Sequence, residues 1–364
     1  MAKALLLLSG GLDSTLAGKI LLELGIEVEA VNFTSPFCRC TPKSFGCLAA
    51  RAAADALGIQ VRVLAKGDDY LELIKHPRHG RGSGMNPCLD CRIFTLRRAR
   101  EMLAETGADF VATGEVLGQR PMSQRANAMA LIERESGLDG LVVRPLSAQL
   151  LPPSLPEQSG LLDRGRLLAI QGRSRKEQMA LADDYGINDY PCPAGGCLLT
   201  DPEFAARLRE LFTREPDCGL DDVLLLSVGR HFRLPGGAKA AVGRNDNENK
   251  RLEASAKPGD WLLIPNGDAS GPTVLLRPAA PAQTEKDSEA LRQAGGLLAL
   301  FSRGGRNGTG IDIGQTPVLA GGARGSAASR PGVRPLDADE AESWRVAGKV
   351  GKSAKAAELR KTGG

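Results

Sequence analysis

The chain reads as an α/β protein, a parallel sheet with helices on both faces, followed by a small α+β domain and a disordered tail. Three observations predict this. Short apolar runs alternate with helical periodicity through the first 200 residues, the pattern of parallel strands joined by helices. The first of these runs, Ala4 to Leu8, ends at Gly10-Gly11 and opens onto Leu16, Ile20, Leu21 and Leu24, which is strand, tight loop, helix. After Cys197 the pattern changes to short strands separated by Gly and Pro turns.

Taken in order, the strand Val28 to Phe33 comes next, then a helical stretch Cys47 to Leu57 and the strand Val61 to Leu64. Cys91 to Thr106 is helical, Phe110 to Ala112 is a buried strand, Leu141 to Arg144 another, and Ser174 to Tyr185 a helix. Asp201 to Phe212 is amphipathic, with Phe204, Leu208 and Leu211 on one stripe. Val223 to Val228, Ala240 to Val242, Trp261 to Ile264 and Val274 to Leu276 read as strands. From Ala279 the chain loosens. Ser288 to Phe301 reads as a last helix, and Arg303 to Arg334, rich in Gly, Ala, Ser and Arg without periodicity, is expected to be mostly disordered. The expected domains are 1–200, 201–278 and a tail 279–364.

Composition bounds the class. The 364 residues suffice for two domains, and 42% hydrophobic residues with 4% aromatics imply cores of Leu, Val and Ala. No apolar stretch approaches a membrane span and no signal pattern precedes the first strand, so a cytoplasmic protein without a membrane partner is expected. Eight cysteines in that setting point to metal ligands or reactive thiols rather than a disulfide framework. The net charge of +4 lies in the tail, where eleven Lys/Arg and six Asp/Glu follow residue 302. Local clusters say more. Lys75, His76, Arg78, His79, Arg81, Arg92, Arg97, Arg98 and Arg100 form one, and Arg164, Arg166, Arg173, Arg175 and Lys176 another, as a polyanion such as RNA or a solvated face would require.

Ser9-Gly10-Gly11-Leu12-Asp13-Ser14-Thr15 makes an anion site. Gly10 and Gly11 let backbone N–H groups converge on a phosphate, Ser9, Ser14 and Thr15 add hydroxyls, and the helix start contributes its dipole. Asp13 beside phosphates would repel them unless a cation such as Mg2+ lies between, so metal-assisted phosphate chemistry is expected. There is no Walker lysine and no dinucleotide fingerprint. The string resembles the PP-loop of the ATP pyrophosphatases, and Thr113 to Gln124, TGEVLGQRPMSQ, with Val143-Arg144-Pro145-Leu146, resembles the tRNA 4-thiouridine synthase branch of that family. The resemblance implies a PP-loop fold of the adenine nucleotide α-hydrolase kind and cleavage of ATP between its α- and β-phosphates. It also implies transfer of AMP to a uridine carbonyl of tRNA, with Gly114 bordering the nucleotide and Gln119 and Ser123 near the acceptor.

The cysteines supply the second clue. Cys88-Leu89-Asp90-Cys91 puts a CxxC at a helix start, where the dipole favours thiolates, and Cys192 and Cys197 lie in a Pro/Gly-constrained loop. Cys88 and Cys91 with Cys197 or Cys192 could hold a 4Fe-4S cluster with one open iron, which the resemblance to tRNA thiolases favours, Cys197 being the third ligand expected. A persulfide with a resolving cysteine and a zinc site remain as alternatives. Cys38, Cys40 and Cys47 are unassigned. The sulfur donor would be external: a cysteine desulfurase, a carrier protein or inorganic sulfide.

Val228 to Phe232 and Val242 to Asn245 resemble the RNA-binding domain of NFACT proteins. That likeness implies that Arg230, His231, Arg244, Asn245 and Lys250 face RNA through backbone phosphate contacts. Together the resemblances imply ATP-dependent tRNA thiolation. Two other classes stay open, a PP-loop ligase using ammonia on a small molecule, and a nucleotide- and RNA-binding protein without catalysis.

Overall fold

The computed structural model describes residues 2–38, 48–188, 190, 197–266, 269–279, 284–307 and 310–347. Cys40, Cys47 and Cys192 lie outside them. The chain divides into two compact units, Met1–Asp201 and Pro202–Gly364.

The first unit begins with β1 (Lys3–Leu7) and α1 (Leu12–Glu23), then β2 (Glu27–Thr34), α2 (Leu48–Leu57), β3 (Val61–Ala65) and α3 (Asp68–Lys75). It continues with α4 (Cys88–Thr106), β4 (Phe110–Thr113), α5 (Ala126–Ser136), β5 (Val142–Val143), the single turn α6 (Leu155–Gln158) and α7 (Lys176–Asp184). The five strands pair in the order β3-β2-β1-β4-β5, all parallel. Alternation along β1 divides the core. Ala4, Leu6 and Leu8 pack on Ala17 and Leu21 of α1 and Ala53 and Ala54 of α2. Leu5 and Leu7 pack on Ile93, Leu96 and Ala99 of α4 and Ile132 of α5. This fits the expected parallel sheet with both faces covered. Its order reverses between β1 and β4, so the loops after those two strands flank the crevice where such sheets bind ligands.

The second unit holds α8 (Pro202–Arg214), α9 (Leu220–Leu225), β6 (Arg230–Arg233), β7 (Lys239–Val242), α10 (Asp246–Ala254), β8 (Trp261–Pro265) and β9 (Val274–Arg277). After these come α11 (Thr284–Phe301), the turn α12 (Arg303–Arg306), β10 (Ile311–Pro317), β11 (Ala328–Val333) and α13 (Ala338–Ser343). Its six strands form an antiparallel sheet, β11-β10-β8-β9-β7-β6. Phe232, Ala240, Val242 and Leu276 pack on Leu297 and Leu298 of α11. The other face sets Ala241, Leu262 and Leu275 against Leu225 of α9 and Leu252 of α10.

Two expectations are corrected here. The run Val223 to Val228, read as a strand, lies in and just after α9. Gly219 caps that helix and donates its N–H to the Asp222 carboxylate at 3.0 Å, so local capping outweighs the β-prone composition. The tail, read as mostly disordered from 303, instead supplies β10 and β11. Ile311, Ile313 and Gln315 are buried at alternate positions while β10 pairs with β8, and that pairing satisfies a backbone the composition had suggested was loose.

Candidate functional site

The loop after β1 is built on a glycine that no other residue can replace. Gly10 has φ +77°, and a Cβ there would lie 2.3 Å from the Ala49 carbonyl carbon. Gly11 caps α1, whose first-turn N–H groups have no acceptor within the helix and so form the anion-binding end. Ser14 Oγ sits at the hub. It accepts the Ser9 N–H at 3.2 Å, lies 3.0 Å from Ser9 Oγ, and donates to the Gly11 carbonyl at 2.9 Å. Thr15 Oγ1 donates to the same carbonyl at 3.1 Å, and both side chains are buried. In this structure the Ser14 and Thr15 hydroxyls are therefore spent on shaping the loop, and the N–H groups of the first turn are left to meet an anion.

Asp13 projects from this first turn. Gln119 Nε2 donates to its Oδ2 at 3.1 Å, while Oδ1 is buried without a hydrogen-bond partner among the described residues. Buried carboxylate oxygens are normally satisfied, and an orphan beside an anion site is the donor a Mg2+ ion takes, so the residues fit that ion.

Gly114, directly after β4, explains how the two loops meet. A Cβ there would stand 2.4 Å from the Ser14 nitrogen and 2.5 Å from the Asp13 carbonyl carbon. The neighbouring Glu115 pins the contact from below, 2.9 Å from Arg92 Nε and 3.2 Å from Arg144 Nε, and Arg144 also pairs with Glu133. Burial alone would raise the Glu115 carboxyl, but the two guanidinium groups hold it below the usual carboxylate range. Ser123 is buried under this loop, and Gly118 donates its N–H to the Gln124 carbonyl at 2.6 Å.

A third segment meets this loop, one that the sequence marks only by its charge. Gly172 N–H donates to the Leu117 carbonyl at 2.7 Å and α7 packs on α1, which brings residues 171–178 against the loop after β4. Arg175 Nε and both polar atoms of Gln178 are buried without hydrogen-bond partners among the described residues. Their signal was the second basic cluster. Two of its members are structural instead: Arg164 pairs with Glu157 and donates to the Leu151 carbonyl, and Arg166 donates to the Glu23 carbonyl.

The cysteines gather at the same edge of the sheet. Cys88 opens α4, Cys91 lies one turn on, and Cys197 stands just before a 3-10 turn, Leu198–Thr200. Leu198 N–H donates to the Phe37 carbonyl at 2.9 Å and Met85 N–H to the Leu199 carbonyl at 2.8 Å. These bonds tie the end of the unit to the loops after β2 and before α4. Tyr70 Oη donates to Cys91 Sγ at 3.0 Å and Lys66 Nζ at 3.4 Å, with Lys66 also 4.5 Å over the Tyr70 ring. Burial would raise the Cys91 thiol, but Lys66, Tyr70 and Arg92 bring it below its ordinary value. Burial pushes Cys197 up to about 12, helped by the nearby sulfurs of Cys91, Cys38 and Cys88. Cys88 Sγ accepts from Asn86 Nδ2 at 3.2 Å. The predicted trio is thus brought together, with Cys38 beside it, and thiols are the donors an iron–sulfur cluster takes. Among the described residues, however, no three such side chains are drawn into a metal-binding group.

In the second unit the expected RNA contacts divide. His231 is buried, and burial with the charge of Lys239 and Arg207 holds its imidazole well below the usual range, so it is a neutral core residue rather than a phosphate contact. Asn245 spends its side-chain oxygen on the Glu248 N–H as the cap of α10. Arg230 lies 4.7 Å over the Phe301 ring. Arg244 pairs with Glu248 yet stays half-exposed, and Lys250, paired with Asp246 at 2.7 Å, is exposed. Arg244 and Lys250 keep the expected role open. Among the described residues no helix is long and apolar enough to cross a membrane.

Residues 1–149 match the family model described as Thiamine biosynthesis protein (ThiI), and residues 229–345 match that of the NFACT protein RNA binding domain. The chain is 35% identical over 121 residues to a tRNA-specific 2-thiouridylase MnmA of Sulfurimonas denitrificans, covering 32% of this chain and 35% of that protein. It is 30% identical over 148 residues to a probable tRNA sulfurtransferase of Staphylococcus aureus, covering 40% of this chain and 34% of the other. It therefore spans about a third of the length of these curated relatives. A solved 4-thiouridine synthetase complexed with RNA and ATP aligns over 62% of this chain and 52% of its own, with 23% identity and a TM-score of 0.32.

Proposed function

With residues 1–149 a PP-loop domain of the ThiI type and residues 229–345 an NFACT-type RNA-binding domain, we propose that this protein is a cytoplasmic ATP-dependent tRNA sulfurtransferase. ATP lies with its phosphates on Ser9 to Ser14. The carbonyl oxygen of a tRNA uridine attacks the α-phosphorus, pyrophosphate leaves, and a sulfur nucleophile adds at the activated carbon and displaces AMP. The first-turn N–H groups of α1 orient the phosphates. Asp13, oriented by Gln119, is the residue that would hold a magnesium ion through its Oδ1, and such an ion would supply neutralisation of phosphate charge. Cys88, Cys91 and Cys197 carry the sulfur; they also provide the three thiolates a 4Fe-4S cluster with an open iron would need, and such a cluster would hold sulfide.

One observation supports joining the two chemistries. Gln119, which touches Asp13, and Met122, 3.6 Å from the Asn86 amide that donates to Cys88, lie three residues apart on one loop. The AMP-transfer site and the sulfur site thus share a wall.

The test is to incubate the purified chain with ATP, Mg2+, sulfide and unmodified tRNA, and to analyse nucleosides by mass spectrometry. A thionucleoside, with one AMP and one pyrophosphate per sulfur, is expected. Asp13→Ala should abolish it while tRNA retention persists. Full turnover by that variant would sink the assignment, as would AMP formation that requires ammonia and a small acceptor instead of tRNA. Iron and sulfide analysis after anaerobic purification decides how the cysteines hold sulfur.

A further inference from the structure

The stretch joining α3 to α4, residues 76–87, stands out in sequence for its charge, and its charged residues have no place in the chemistry above. It is fixed rather than slack. The buried Asp90 carboxylate accepts the N–H groups of Arg78 and His79, each at 3.1 Å. The His79 ring lies 3.1 Å from Glu135, and the Arg81 guanidinium donates to the Ile74 and Lys75 carbonyls at 3.0 and 2.8 Å. Gly82 N–H donates to the Asn86 carbonyl at 2.9 Å.

This stretch also touches the loop after β4. Asn86 reaches Met122, and a Cβ on Gly82 would meet Met122 Sδ at 2.7 Å. From that second loop Arg120 and Arg125 stand exposed, and among the described residues no carboxylate pairs with either. Arg78 is 76% exposed at its side chain although Glu135 lies 3.4 Å away; Arg81 and His76 are exposed as well. Two rigid, touching loops therefore present four arginines and a histidine beside the wall shared by Asp13 and Cys88.

We propose that these two loops form a phosphodiester-binding rim that grips the RNA backbone on either side of the nucleotide being modified. The inference rests on the tRNA reading above and adds to it a second RNA contact, independent of residues 229–345. A nucleic acid fits better than a protein partner, because none of the large exposed hydrophobic side chains lies on either loop while cations abound. Preformed loops also lose little conformational freedom on binding. With two RNA contacts on one chain, the second event is effectively intramolecular.

The experiment uses the full chain and an unmodified tRNA transcript, with affinity measured across a salt series. Replacing Arg78, Arg81, Arg120 and Arg125 by Gln should weaken binding by about tenfold or more and flatten the dependence of log affinity on log salt by roughly one for each phosphate no longer neutralised. ATP binding, measured by dialysis, should stay unchanged, which reports an intact fold. Replacement of the same four by Lys should retain most of the affinity, since phosphate needs charge more than shape. Unchanged affinity and slope in the Gln variant would overturn the rim, including the case where a protein docks there instead. Wild-type chain that fails to bind tRNA at all would overturn the functional reading itself.

Discussion

Gly114 admits no side chain, because the space a methyl group would fill is already held by the Ser14 nitrogen and the Asp13 carbonyl. Gly114→Ala must push the two loops apart, and misplacement of about 1 Å at reacting groups costs on the order of a hundredfold in rate. A fall of that size in pyrophosphate release is expected, with a modest loss of thermal stability; wild-type turnover would contradict the contact. Lys239 gives a pH signature in the other unit. Burial brings its ammonium down to about 8 from 10.5, with no hydrogen-bond partner at Nζ among the described residues. Between those values the unfolded chain keeps a proton that the folded one has shed, so stability should rise with pH from about 8 to 10.5, by roughly 3 kcal/mol. Lys239→Met should remove that rise and be more stable at pH 7, as chemical denaturation across the range will report. Asp13 and Gly114 were legible in sequence because their strings are local. Glu115 was not, since Arg92 and Arg144 lie far from it along the chain. His231 was misread because Arg230-His231-Phe232-Arg233 looks like surface, whereas both middle residues of β6, His231 and Phe232, are buried.

The element least legible in sequence is the β10–β11 pair. Its alternation, Ile311, Ile313 and Gln315 in and Asp312 out, is real but sits inside a Gly-, Ala- and Arg-rich run, and its partner β8 lies about 50 residues earlier. Composition therefore argued for a linker. Removing everything after Ser302 strips the outer strands from β8, exposes its edge, and removes the cover that Ile311, Ile313 and Val333 give α11. Each buried aliphatic of this kind contributes about 1.5 to 3 kcal/mol, so the truncated chain should lose the cooperative melting of its second unit and aggregate. A truncated protein with an unchanged melting transition would show that β10 and β11 are dispensable. The first unit was easier to read: parallel strands buried on both faces are near-continuous apolar runs, and β1 and β4 appear as such. Its α5 was passed over because its charged surface buries only two apolar side chains, Met129 and Ile132, with Ser136.

For the whole molecule, the order β3-β2-β1-β4-β5 does for function what no single residue does. It sets the loops after β1 and β4 side by side and the cysteine-bearing segments along the same edge. ATP with Mg2+ should therefore raise the melting of the first unit alone, by roughly 2.7 kcal/mol at a hundred times its dissociation constant, and Asp13→Asn should cancel that shift. Calorimetry separates the two transitions; a ligand shift in the second unit would argue against the placement. Cys197 has a further meaning because the bonds from Leu198 to Phe37 and from Met85 to Leu199 come at the very end of the first unit. During synthesis the nucleotide loop can close as soon as β4 and its glycine have emerged, yet the thiol cluster stays incomplete until residue 200 has left the ribosome. Under the proposed function, sulfur transfer would therefore wait on the order of chain growth, and a chain that ends before Cys197 would lack one of its three thiols.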